Sequence, residues 1–186
     1  LLYNIMSNKI LIIGGDPNSI NSEIIYKAWK KIDKKLKKRT YLICNYNLIC
    51  RQYKKLGYKK NFVKINKIDD NILSTNLKVI DIPLNFKNPF KVSFNESSKY
   101  VLKSLNLAHK LAKNREVKAI VNCPIDKSLI KISKKIGVTE FFASKCNVKD
   151  SSEIMLIYNK KLSVVPITTH LEIKNISKKI TSSLIV

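Results

Sequence analysis

The chain has 186 residues, 45% of them hydrophobic, and a formal net charge of +23. That length and apolar fraction suffice for one large domain or parts of two, and they exclude a disordered composition. The charge suggests a nucleic-acid or anionic-membrane surface, but only Arg39, Arg51 and Arg115 of the 36 basic residues are arginine.

The predicted elements alternate. "KILIIGGDPNSINSEIIYKAWKKI" reads as strand, turn and helix. Ile10 to Ile13 form a short apolar run, as in a strand buried on both faces. Gly14, Gly15, Asp16 and Pro17 break it. Ser19, Asn21 and Ser22 are candidate caps for a helix with Ile24, Ala28, Ile32 and Leu36 on its apolar face. "TYLICN" is a second strand, and "ICRQYKKLGY" a short helix stopped by Gly57. "FVKI" and "KVIDIPL" are further strands. Asn95 is placed to cap a long helix with Val101, Leu105, Ala108 and Ala112 along one face. "VKAIVNCPI" reads as a buried strand ending in Pro124. "DKSLIKISKKI" and "TEFFASKCN" read as helices. "SEIMLIYNKKLSVVPITTH" reads as two strands joined at "YNKK", with Val164 to Ile167 buried. A last amphipathic helix begins at Ile173 and continues through Ile176, Ile180 and Leu184. It has no terminator, and the chain is expected to be a piece of a longer protein.

Strands alternating with helices argue for an α/β fold in three layers around a largely parallel sheet. No internal repeat, linker or domain boundary is legible. Arginine reads phosphates and bases better than lysine. Scattered lysines, abundant Asn and Ile and only four Gly therefore point to compositional drift in an A+T-rich genome, and no nucleic-acid partner is expected. Cys44, Cys50, Cys123 and Cys146 lack the C-x-x-C spacing of zinc ribbons. Free thiols fit a reducing, cytoplasmic setting. No apolar run approaches membrane-spanning length, so no membrane partner is expected. The opening "LLYNIM" lacks a signal-peptide layout, and Met6 is a candidate start.

Ligands in open α/β sheets bind at the C-terminal ends of strands. Three stretches qualify: "GGDPNSINSE", "NCPIDK" and "PITTH". The first misses the G-x-G-x-x-G dinucleotide fingerprint, though a helix start there remains able to bind an anion. Lys127 reads as a solvated lysine, and Cys123 as a buried inert thiol rather than a nucleophile. His109 borders the apolar stripe of the long helix and reads as structural. His170 stands at a strand end behind Thr168 and Thr169. Both a metal ligand and a structural histidine suit that position, and one histidine does not make a site.

Four stretches in order, "GGDPNSINSEI", "VNCPIDK", "GVTEFFA" and "PITTHLEIKNISKKIT", resemble the 4-hydroxythreonine-4-phosphate dehydrogenase family of pyridoxal phosphate biosynthesis. The family patterns are G-D-P-A-G-I-G-P-E, A-P-I-x-K, G-H-T-E and T-T-H-x-P-L. The resemblance covers the N-terminal portion of the family pattern. It implies an isopropylmalate dehydrogenase-like fold of two α/β domains. It also implies NAD-dependent oxidation of 4-phosphooxy-L-threonine to a 3-oxo acid that decarboxylates. A divalent metal (zinc, magnesium or cobalt) held by three histidines, and a homodimer with a shared active site, follow from the same likeness. His170 then falls on a metal ligand and Thr139 on a substrate-binding threonine. Val138 stands where the family has a substrate-binding histidine. Ser19, Asn21 and Ser22 replace Gly, Gly and Pro. The remaining metal histidines and the phosphate site have no counterpart in this sequence. No catalytic or NAD-contacting residue is assigned, and the chain alone is expected to be inactive. The competing expectations are a related metal-dependent dehydrogenase for another hydroxy acid or diol, and a non-catalytic basic binding module.

Overall fold

A computed structural model describes residues 7–68, 74–131, 137–147, 153–168 and 172–182. It divides into two compact units, Leu1–Val138 and Thr139–Val186.

The first unit is built on five parallel strands. They are β1 (Ile10–Ile13), β2 (Thr40–Cys44), β3 (Phe62–Ile65), β4 (Leu77–Asp81) and β5 (Ala119–Asn122), in the spatial order β3-β4-β2-β1-β5. Four helices connect them: α1 (Asn21–Lys31), α2 (Lys34–Arg39), α3 (Tyr46–Lys55) and α4 (Phe94–Lys113). Side chains alternate across a strand, so each face of the sheet carries its own set. One face presents Ile12, Leu42, Leu77 and Val79 to Ile25 and Trp29 of α1 and to Ile49 and Tyr53 of α3. Leu11, Ile13, Tyr41 and Ile43 have the opposite parity and are buried, and α4 packs against β1, β2 and β5. This is the expected three-layer α/β arrangement with a parallel sheet.

Local details depart from the expected pattern. The helix after β1 is capped by Ile20 with no side-chain bond, and Asn21 is already its first residue. Its buried face is Asn21, Ser22, Ile25 and Trp29, one position along from Ile24 and Ala28. The large indole of Trp29 sets that face. Ile32, the C-cap, is half-buried and packs against the same core as Ile25 and Trp29, but Leu36 does not continue the stripe, because Asp33 Oδ1 accepts from Leu36 N at 2.6 Å and starts a new helix. The cap of α4 is Ser93, whose extended backbone suits that role, and Asn95 lies inside the helix. Gly57 ends α3 as expected, with φ +69°.

The strand β5 is buried on neither face. Val121 pairs in register with Ile12 yet is 52% exposed. Its sequence reads as a buried strand, but it lies at the edge of the sheet, hydrogen-bonded to β1 alone among the described residues. Beyond it, a 3-10 turn at Lys127–Leu129 replaces part of the expected helix, and residues 132–136 lie outside the described residues.

The second unit holds α5 (which begins at Val138 and runs to Lys145), β6 (Ile157–Tyr158), β7 (Ser163–Val164) and α6 (Ile176–Lys179). β6 and β7 pair antiparallel, closed by Asn159 N donating to Leu162 O at 2.9 Å. The expected hairpin at "YNKK" is present, but its strands are two residues each and exposed. Val164, Val165 and Ile167 are therefore not a buried strand. Ile173 opens a 3-10 turn and is 87% exposed, so the expected apolar stripe of the last helix is not buried there. Leu184 lies outside the described residues.

Candidate active site

Two of the expected strand ends meet. β1 lies between β2 and β5; the chain leaves β1 toward β2 and later crosses over to reach β5. Such a reversal opens a crevice at the C-terminal ends of the two diverging strands. The loops there are tied together. Asp16 N donates to Pro124 O at 3.2 Å, and Cys123 N donates to Ile13 O at 3.0 Å. Asn21 Nδ2 donates to Pro124 O at 2.8 Å and to Asp16 O at 3.2 Å.

Gly15 has φ +73°, and a Cβ there would lie 2.6 Å from both Asn21 Nδ2 and Pro124 O. The glycine thus admits the neighbouring loop and the Asn21 amide, not an open phosphate cradle. With Nδ2 committed, Asn21 Oδ1 is buried without a hydrogen-bond partner. Asn21 lines a cavity of about 20 Å³ shared with Gly14, Ser22 and Tyr100, room for about one water-sized group.

Two carboxyls flank this junction. Asp16 is half-buried, and its pKa is raised by burial and by the charge of Asp126, against the lowering effect of the Asn18 N–H. That N–H reaches Asp16 Oδ1 at 2.8 Å. Asp126 is held low by the Ser128 N–H and hydroxyl. Opposite shifts in neighbouring carboxyls are a common feature of acid–base sites and also of structural ones. Cys123 is buried and its thiol is pushed up to about 11 by desolvation, consistent with an inert thiol. Lys127 is exposed, as expected.

The sequence reading gives Asp16 and Asp126 no role at this site and Asn21 only a place among the candidate caps. A signal existed: each strand end carries an Asp next to or near a Pro, in "GGDP" and "CPID". The clamp itself needed the fold, because Asn21 and Pro124 are far apart in sequence.

Val138 and Thr139 stand in the first turn of α5; Val138 is half-buried and Thr139 exposed. His170 lies outside the described residues. Among the described residues no group of three or more His, Cys, Asp and Glu is placed to hold a metal. The described residues therefore do not fit a divalent metal on their own, and the loop after β1 does not fit a dinucleotide phosphate.

The model of the pyridoxal phosphate biosynthetic protein PdxA family matches residues 19–186. This chain belongs to the PdxA family. It is 31% identical over 185 residues to the 4-hydroxythreonine-4-phosphate dehydrogenase of Sulfurihydrogenibium sp. (strain YO3AOP1), covering 96% of this chain and 54% of the relative. It is 32% identical over 174 residues to that of Aquifex aeolicus (strain VF5), covering 92% and 52%. The chain thus spans about half the length of the curated relatives it matches. Among solved structures, a 4-hydroxythreonine-4-phosphate dehydrogenase from Burkholderia phymatum superposes with TM-score 0.82 at 22% identity, covering 96% of this chain and 55% of that one. A terephthalate 1,2-cis-dihydrodiol dehydrogenase from Burkholderia xenovorans LB400 superposes with TM-score 0.65 at 19% identity, covering 96% and 53%. These structural likenesses speak to the fold. The PdxA family is an oxidoreductase family of pyridoxal phosphate biosynthesis.

Proposed function

We propose that this chain forms part of an NAD-dependent dehydrogenase that oxidises 4-phosphooxy-L-threonine to a 3-oxo acid, which then loses carbon dioxide. The observation that carries this reading is the family match across residues 19–186, with T-T-H at Thr168 to His170 and T-E at Thr139 and Glu140. In this reading His170 is one ligand of a divalent metal, with further ligands from outside this chain, and two copies share the active site. Thr139 donates its exposed hydroxyl to the anionic substrate from the first turn of α5, where the helix dipole also favours negative charge. The Asn21 clamp keeps the β1 and β5 strand ends together, so the two loops offer a fixed rim to the crevice.

Val138 supports a second reading, a related dehydrogenase for another hydroxy acid or diol. An isopropyl group cannot make the hydrogen bond of the family's histidine. The test is turnover by the full-length protein. With the phosphorylated threonine, NAD and a divalent metal, NADH forms; His170→Ala abolishes NADH formation and metal retention and leaves the melting temperature unchanged. Normal turnover and metal content in that variant would overturn the assignment of His170. Turnover with a diol but not the phosphorylated substrate would favour the second reading. The 186-residue chain by itself is expected to form no NADH under the same conditions.

A further inference from the structure

A second concave site lies at the C-terminal ends of β2 and β4, beside the loop after β1, where the Asn18 side chain bonds Val92. It is a groove of about 820 Å³ between the first turns of α3 and the segment that leads from β4 into α4. That volume is within the range of small-molecule sites, about 300–1,000 Å³. Its lining includes Asn47, Arg51, Leu84, Phe86, Lys87 and Lys91, with no acidic residue.

The basic residues here differ from the solvated lysines elsewhere, because the central one is anchored. Arg51 Nη2 donates to Lys87 O at 2.9 Å, and the guanidinium lies 5.1 Å from the centroid of the Phe86 ring. Arginine has five N–H donors in a planar fork. One bond fixes its position and leaves other donors for a ligand. The carboxylates of Asp81 and Glu96, on the elements that border the groove, have other partners. Asp81 accepts from Tyr46 N at 2.8 Å and pairs with Lys64 at 2.6 Å. Glu96 accepts from Asn85 N at 3.3 Å and pairs with Lys99 at 3.7 Å. The groove therefore combines an unneutralised cationic wall with a flat arginine–phenylalanine platform.

We infer that this groove binds a phosphorylated nucleoside. Lys87 and Lys91 meet the phosphate, while the base lies against the Arg51–Phe86 platform with the Asn47 amide available to its edge. Guanidinium planes and aromatic rings are both good stacking surfaces for bases. A bare anion would leave Leu84 and Phe86 without a role, and an unphosphorylated nucleoside would leave the lysines without one. The site does not depend on the reaction proposed above. A free mononucleotide and the AMP half of a dinucleotide carry the same chemistry.

The test is isothermal titration of the 186-residue chain with AMP, adenosine, inorganic phosphate and NAD. AMP should bind at one site, at least about tenfold tighter than adenosine or phosphate. The Arg51→Met/Lys87→Met double variant and the single Lys91→Met variant should each weaken AMP by about tenfold or more. These three side chains are on the surface, so the melting temperature should hold. Lys34→Met/Lys35→Met, which removes the same charge from α2, should leave AMP binding unchanged. NAD binding with the same dependence on Arg51 would make the groove a dinucleotide subsite; AMP binding without NAD binding would make it a mononucleotide site. The inference fails if AMP binds no better than phosphate or adenosine. It fails equally if the α2 control weakens AMP as much as the groove variants do.

Discussion

At Lys78 a fully buried ammonium group is held by backbone carbonyl oxygens and lies 4.9 Å from the centroid of the Tyr41 ring. Nζ donates to Lys37 O at 3.0 Å, Lys38 O at 2.6 Å and Ser74 O at 3.4 Å. Two of those carbonyls end α2, so the lysine caps that helix from within the sheet and complements its dipole. Burial lowers its pKa from 10.5 to about 8. The unfolded chain then binds more protons than the folded one between those values, and stability rises with pH through that window. The difference in melting temperature between wild type and Lys78→Met, followed from pH 7 to 10, should grow with pH; a flat difference would mean Lys78 titrates normally in the folded state. Asn21 makes a second test. Replacing it by glycine removes one bond to the β5 loop, at Pro124 O, and one within the β1 loop, at Asp16 O, and adds the helix cost of glycine. Asn21→Gly should cost about 1–2 kcal/mol in urea unfolding. On the proposed function, Val138→His in the full-length protein, which supplies the histidine of the G-H-T-E pattern, should raise kcat/KM for the phosphorylated substrate. A recovered charged hydrogen bond is worth about 1.5–3 kcal/mol, and an unchanged value would point to a different substrate.

Element boundaries show where the sequence was readable. The strands were legible because short apolar runs bounded by Gly, Pro and Asn have few other readings, and Ile10–Ile13, Thr40–Cys44 and Phe62–Ile65 stand where expected. Caps were less so, because several residues near a helix start can each cap it. At α4 the sequence points to Asn95 as the cap, and the structure puts it at Ser93. Ser93 Oγ accepts from Glu96 N at 3.4 Å, and Asn95 is exposed. Ser93→Ala should cost about 1 kcal/mol, and Asn95→Ala should stay within about 0.5 kcal/mol, both by chemical denaturation. The face of a helix was harder still, since Trp29 outweighs Ile24 only once β2 and β4 are in place beneath it. The burial of a strand depends on what lies beside it. "AIVN" at β5 and "SVVPI" after β6 have buried-strand compositions, yet one is an edge and the other part of an exposed hairpin. At the candidate site, the motifs marked the strand ends but not the Asn21–Pro124 contact, which joins residues brought together only by the crossover.

On the scale of the whole molecule, stability is distributed unevenly. The first unit holds nearly all of the buried apolar side chains among the described residues, from Leu11 through Ile130, whereas Phe141 alone represents the second unit in that set. The second unit instead exposes Ile154, Met155, Leu156, Ile157, Tyr158, Leu162, Val164, Val165 and Ile167 on and around its hairpin. A two-stranded hairpin is at best marginally stable in water, and local opening follows from few buried contacts. Amides of β2 and β4, both buried strands in the interior of the sheet, should open only with the whole unit. Hydrogen exchange followed by mass spectrometry on the 186-residue chain should therefore show peptides spanning 40–44 and 77–81 protected at least about a hundredfold more than those spanning 157–164. Contiguous exposed apolar side chains also mark surfaces that bind other protein. If the hairpin exchanges slowly at high protein concentration and quickly on dilution, a second copy of the chain covers it. Equal protection of the two regions at every concentration would show that the hairpin is held within the unit itself, and the uneven distribution of stability would be wrong.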